Sequence, residues 1–336
     1  MSAWRSCSLT SMHLTVRLMS HIKTAGLDFD LALEGSGVTA EMLNDPKCKI
    51  KVLSEQHIFR NTLAMLPDTA IAIDIGLSAR ISAYGLLGYA FLTAPTMRSA
   101  LAIAAQYPAL VANNFDLSVQ ESDGVGRIIF DNYSGPADLK SAYAELALAS
   151  FKRTCSDMLT KDLRLIKIGF ECKETLDRRK YHYDALGCPT LYEQTNNFLE
   201  FPAHLLDGEL PFSDPVSHNE ILGICSRQNS ELAAEREWMA KVRAIIASTL
   251  QYPVQLEEVA EQMHCSSRTL RRQLSAYKTS YRQLLDDVRF ERAKAMLKEG
   301  RMSTDEIAES LGFCDGAGFR RAFQRWSGQP PGSYKT

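Results

Sequence analysis

The chain has 336 residues, 45% hydrophobic and 23% charged, with a formal net charge of −2. This is ordinary globular composition, long enough for two domains or one large one, and it excludes wholesale disorder. The longest apolar stretches, such as Tyr84–Ala94, are too short and too broken by glycine to span a bilayer, so no membrane partner is expected.

Residues 1–16 read as a mildly basic lead-in without the apolar core and cleavage site of a signal peptide. From 17 to 210 helix and strand signals alternate. Leu14–Ala25 and Ser54–Leu66 show helical apolar spacing, and Ala100–Ala112 shows it more strongly after the cap-like Pro95-Thr96. Phe115–Gln120 and Arg127–Asp131 alternate apolar and polar residues around the turn cluster Glu-Ser-Asp-Gly-Val-Gly, which predicts a β-hairpin. Leu139–Thr160 returns to helix, Leu165–Glu171 reads as a strand, and Phe198–Phe201 is a short apolar strand ending at Pro202. The pattern predicts an α+β domain. The proline-rich Leu210–Pro215 leads out of it into a linker region, 211–237, and Asn219–Leu250 is helical and charged.

From Val254 onward every segment reads as helix, so 238–336 is taken as an all-α domain. Charge divides at the same place. Residues 238–336 carry 16 Lys and Arg against 11 Asp and Glu, whereas the rest carries 22 against 29. A basic domain on an acidic partner favours a polyanion.

Eight cysteines stand at 7, 48, 155, 172, 188, 225, 265 and 314, with no C-x-x-C pair, which argues against a zinc site or a disulfide framework and fits a reducing cytosol. No H-E-x-x-H, G-x-S-x-G or G-x-x-x-x-G-K-[ST] stretch occurs. No catalytic residue, metal or cofactor is expected, and the chain is not read as an enzyme.

In 256–277 Leu256, Val259, Ala260 and Met263 share one helical face. His264-Cys265 interrupts, with His264 read as a turn or buried residue, and Ser266 can cap the next helix. There Leu270, Leu274 and Tyr277 face inward, while Arg268, Arg271 and Arg272 project outward. This is a helix-turn-helix pattern whose second helix suits a major groove. It recurs over 304–326. Ile307, Ala308 and Leu311 form the first inner face, Gly312 ends that helix and Asp315 caps the next. Phe319, Ala322, Phe323 and Trp326 then face inward, with Arg320, Arg321, Gln324 and Arg325 outward. Between the units 280–299 forms an amphipathic linker helix with Val288, Ala293, Ala295, Met296 and Leu297. Two readers on such a spacer can enter successive major grooves, about 34 Å apart. Gly316-Ala317-Gly318 offers few side chains to read bases, and each helical glycine costs up to ~1 kcal/mol against alanine. Selectivity is therefore expected mainly from the first unit.

These residues resemble the DNA-binding domain of AraC/XylS-type transcription regulators. The likeness rests on Leu256-x-x-Val-Ala, Ser266-x-x-Thr-Leu-x-Arg-x-Leu, Arg289-x-x-x-Ala293-x-x-x-Leu297, Ile307-Ala-x-x-Leu-Gly-Phe, Phe319-x-Arg-Ala-Phe-x-Arg-Trp-x-Gly and Pro331-x-x-Tyr334. Near Cys314, Ala317 and Gly318 the chain departs from the usual serine and larger residues of that family. The stretch from Tyr84 to Thr96 and the alanine-rich helix after it are similar to the arabinose-binding-like N-terminal domain of one branch of these regulators, over about 17–210.

The resemblance implies an α+β sensing or dimerisation domain followed by an all-α domain of two helix-turn-helix units and a linker helix. It implies a bacterial, cytoplasmic, nucleoid-associated activator of a metabolic or catabolic operon. Its partners would be double-stranded promoter DNA, RNA polymerase, a small-molecule effector and a second copy in a homodimer. Arg268, Thr269, Arg271, Arg272, Gly316, Ala317, Arg320, Arg321 and Gln324 would contact DNA. Tyr84, Tyr89, Tyr107 and Tyr133 are candidates to line an effector pocket, since tyrosine joins an apolar ring to a polar tip. Two alternatives are an alkyl-acceptor enzyme fused to the same DNA module, for which the cysteine cluster is lacking, and an architectural DNA binder without effector.

Overall fold

The computed structural model describes residues 9–45, 48–66, 70–107, 114–251, 255–277 and 279–334. The chain forms two compact units, one running to Ser230 and one from Glu231 onward.

The first unit opens with a short antiparallel ribbon, β1 (Leu9–Ser11) on β2 (Lys49–Lys51). Helices α1 (His13–Thr24), α2 (Phe29–Leu33), α3 (Val52–Met65), α4 (Ile71–Ser78), α5 (Leu86–Leu92) and α6 (Met97–Gln106) follow. The expected helix over Ala100–Ala112 begins earlier, because Thr96 forms a capping box with Ser99. Residues 108–112 of that expectation lie outside the described residues.

The sheet has the order β3-β4-β7-β5-β6, with β3 (Asp116–Ser122), β4 (Val125–Asp131), β5 (Lys167–Gly169), β6 (Thr190–Leu191) and β7 (Asn197–Pro202). All its pairs are antiparallel except β5 with β6. The predicted hairpin is present but longer. Asp123 and Gly124 both take positive φ, 51° and 76°, so two residues close the turn and the rest of the turn cluster joins the strands. Helix α7 (Lys140–Leu159) packs Leu148, Phe151 and Cys155 into the core with Ile128, Phe130, Ile168, Leu199 and Phe201 from the strands. The strand expected over Leu165–Glu171 shrinks to three residues. Its flanks still bond, Ile166 N–H to Glu200 and Phe170 N–H to Leu191, without extending the ladder. Helix α8 (Leu176–Leu186) completes the α+β arrangement.

Helix α9 runs from Pro215 to Ser248 and takes in all but the first four residues of the expected linker, 211–237. It begins before Asn219 because Asp214-Pro215 is a cap pair. The Asp214 carboxylate accepts from the N–H groups of Val216 and Ser217 at 3.1 and 3.4 Å, and proline suits the first helical position. Cys225 lies in the core of the first unit, Val242 and Ile246 in that of the second.

The second unit is all helical: α10 (Leu256–Gln262), α11 (Ser267–Ala276), α12 (Tyr281–Glu299), α13 (Thr304–Ser310) and α14 (Gly316–Ser327). One core joins them through Leu256, Val259, Leu270, Leu274, Leu284, Val288, Leu297, Ile307, Leu311, Phe319 and Phe323. In the linker helix Leu284 takes the buried place, while Ala295, expected inside, is exposed. Capping boxes start α12 (Ser280 with Gln283) and α13 (Ser303 with Glu306). Ser280→Ala is expected to destabilise this unit by about 1 kcal/mol, read by denaturant unfolding of the full chain.

Candidate nucleic-acid interface

The first reading helix is positioned by its turn and its cap. His264 takes φ 52°, a left-handed turn residue, and is exposed. The Ser266 hydroxyl accepts from the Thr269 N–H at 3.1 Å. Leu270 and Leu274 fix α11 to the core, and that rotation leaves Arg268, Arg271 and Arg272 exposed together. Thr269 is half-buried, and its hydroxyl bonds that of Ser266 at 2.9 Å, so it supports the cap. Arg271 is 68% exposed, with Nη2 3.8 Å from the Glu257 carboxylate.

The second helix repeats this plan with different chemistry. Gly312 turns at φ 71°, and the Asp315 carboxylate accepts from the Gly318 N–H at 2.5 Å. Phe319, Ala322 and Phe323 face inward, leaving Arg320, Arg321, Gln324 and Arg325 exposed. Arg325 bonds Asp286 of α12 at 3.1 Å. Gly316 is not presented to solvent. It is buried, and a Cβ there would lie 1.8 Å from Asp305 Oδ1. Ala317 and Gly318 are half-buried. Of the residues expected to contact DNA, the arginines and Gln324 form exposed faces, whereas Gly316 packs within the protein.

One residue of the linker helix acts in a way its spacing did not reveal. Arg289 donates to the Gly312 carbonyl at 3.3 Å and lies 4.8 Å over the Phe313 ring. It ties the second turn to α12. Burial holds its guanidinium below the ordinary value.

In the first unit the tyrosines occupy several environments. Tyr89 is 59% exposed on α5, while Tyr107 is buried. Tyr84 meets Phe91 edge-on at 5.9 Å, and Tyr133 packs with Phe115 at 4.9 Å and Tyr143 at 6.3 Å. Residue-type reasoning missed the polar groups near them. Burial pushes the Glu55 carboxyl from 4.5 up to about 8, with the Arg17 guanidinium pulling the other way. Arg17 also stands within electrostatic reach of Tyr84. Arg17 Nε and Thr15 Oγ1 are inaccessible to solvent and have no hydrogen-bond partner among the described residues. Because Glu55 binds its proton more tightly in the native state, the stability that this one group contributes is fully present below about pH 4.5 and is lost as pH rises toward 8. Glu55→Gln should flatten that fall, with the variant gaining on the wild type across the window, read by chemical denaturation at several pH values.

A family model described as the N-terminal arabinose-binding domain of AraC transcription regulators matches residues 26–210, and a helix-turn-helix model matches 259–336. The ornithine utilization regulator of Pseudomonas aeruginosa is 26% identical over 319 residues, covering 95% of this chain and 94% of that protein. The regulator VqsM of the same organism is 26% identical over 273 residues, covering 79% and 83%. The crystal structure of the transcriptional regulator CdpR from Pseudomonas aeruginosa shares the fold, with a TM-score of 0.51 at 20% identity over 97% of this chain and 99% of that one. These relatives are transcription regulators, and the exposed arginine faces of α11 and α14 fit that role. The chain belongs to the AraC family of DNA-binding transcription regulators.

Proposed function

We propose that the chain is an effector-responsive regulator that reads promoter DNA with two helices of unequal discrimination. The observation that carries this is the difference between their outward faces. Arg268, Arg271 and Arg272 are exposed on the first two turns of α11, whereas α14 begins with Gly316-Ala317-Gly318 and places Arg320, Arg321 and Gln324 further along. An arginine fork can bond G O6 and N7 together, so the α11 half-site is read by base edges. The α14 half-site is gripped chiefly through phosphates, which position a protein without specifying sequence.

Residues 17–210 are the sensing part, 211–237 the connection and 238–336 the reading part. Effector binding would shift a balance between domain arrangements only through unequal affinity for them. Arg17 Nε, buried without a hydrogen-bond partner among the described residues, and the desolvated Glu55 support a polar ligand. The relative named for ornithine utilization supports control of a metabolic operon. Activation through RNA polymerase and action as a homodimer belong to the same proposal. Genomic footprinting of the full chain, with and without metabolites that raise its thermal midpoint, tests it. Ligand-dependent occupancy upstream of metabolic genes is expected. Occupancy indifferent to every ligand that binds would contradict the effector part.

A further inference from the structure

Both helix-turn-helix units place an acid against an arginine of the reading helix. Glu257 and Asp305 each occupy the second position of the first helix of their unit. Arg271 and Arg320 each stand five residues after the N-cap of the second. Glu257 Oε1 lies 3.8 Å from Arg271 Nη2, and Asp305 Oδ1 lies 4.0 Å from Arg320 Nη1. The pairing recurs although the second turn is one residue longer than the first.

Helix stability does not single out these two acids, since each first turn carries a second carboxylate, Glu258 and Glu306. In α13 the first-turn carboxylate that caps the helix is Glu306, which accepts from the Ser303 N–H at 2.6 Å. Asp305 lies instead across the start of α14, over the space that glycine leaves at position 316. Nor does ion-pair strength account for them. The side chains are 68% and 60% exposed in one pair and 55% and 78% in the other, and pairs so exposed contribute little to stability. A carboxylate on a DNA-facing surface also opposes the phosphates and lowers sequence-independent affinity.

What such an acid can do is orient a guanidinium. Attracting one edge electrostatically, it leaves the opposite N–H pair free for a base edge and discourages the arginine from settling on a phosphate. We infer that Glu257 is a specificity-determining positioning residue that aims Arg271 at bases and raises discrimination while lowering total affinity, and that Asp305, set against a phosphate-gripping arginine, lowers affinity alone. This rests on the proposal that Arg271 reads bases and Arg320 phosphates.

The test uses the full chain and duplexes recovered from a randomised double-stranded library, with a scrambled duplex of the same composition as reference. Glu257→Gln keeps shape and removes charge. It is expected to tighten binding to the scrambled duplex, to lower the recovered-to-scrambled affinity ratio by roughly 3–10-fold, and to flatten base preference where Arg271→Ala flattens it. Thermal midpoint should stay unchanged, and Glu257→Asp should restore part of the preference. Asp305→Asn should tighten recovered and scrambled duplexes alike, because its half-site is held through phosphates. Equal tightening by Glu257→Gln on both duplexes with preference intact, or no change on either, would overturn the inference. If Arg271→Ala itself leaves base preference untouched, the proposed reading role fails. If Arg271→Ala flattens preference and Glu257→Gln does not, only the positioning role fails.

Discussion

Arg271→Ala is expected to cost about 1–3 kcal/mol of affinity for a selected operator, a loss of roughly 5- to 150-fold. The physical basis is geometric. Leu270 is fully buried and Leu274 nearly so, which fixes the rotation of α11 and sets Arg271 on the face away from the core. Alanine removes a forked donor from that face without touching the packing. The loss should therefore be uneven across sequences, large where the site carries the preferred base and small where it does not. Fluorescence anisotropy on a panel of duplexes differing at single positions reads this directly. A uniform loss across the panel would instead assign Arg271 to a phosphate.

Phe323→Ala should have the largest effect on folding. The ring is fully buried, 5.3 Å from Phe290, 5.7 Å from Phe319 and 5.2 Å from Tyr334. It thus joins the linker helix, the second reading helix and the C-terminal turn. Truncating a buried phenylalanine costs about 3–5 kcal/mol through lost transfer energy and the cavity left behind. Domains are stable by only about 5–15 kcal/mol, so this is a large fraction of the whole. One core serves both helix-turn-helix units, so both half-sites should weaken together. Denaturant unfolding of the full chain should show an earlier transition for the second unit, while the transition of the first is unmoved. Loss confined to the α14 half-site would show that the two units unfold independently.

Much of the second unit was legible because its determinants are local. Leu270 and Leu274 lie one helical turn apart, Ser266 and Asp315 stand at the cap positions, and Gly312 sits where a left-handed residue is required. Each of these needs only neighbours within a few residues. The hairpin was legible for the same reason, since alternation and an Asp-Gly turn are short-range signals.

What escaped was fixed by packing between distant segments. Arg17 and Glu55 lie on separate helices, so spacing gives no hint that they share a buried region. The tyrosines proposed for a pocket were chosen by residue type, and Tyr89 lies on the surface. Gly316 looked like a poor reader of bases in a first helical turn, and its covering by Asp305 depends on how α13 crosses α14. Ala295 satisfied an apolar pattern, but Leu284, Val288 and Leu297 already define the buried stripe of α12. The helix expected over Asn219–Leu250 was legible, but its start was not, because Asp214-Pro215 caps it ahead of Asn219.

The central claim is that two reading helices of one core discriminate unequally. It is tested most directly by selecting duplexes from a randomised library with the full chain, then measuring affinity for every single-base substitution across the recovered site. The expected result is two half-sites about one helical turn apart. Substitutions in one half should cost about 1–3 kcal/mol each and lose their effect in Arg271→Ala, while those in the other cost little. Strong base dependence in the half-site that responds to Arg320→Ala, with weak dependence in the half that responds to Arg271→Ala, would contradict it.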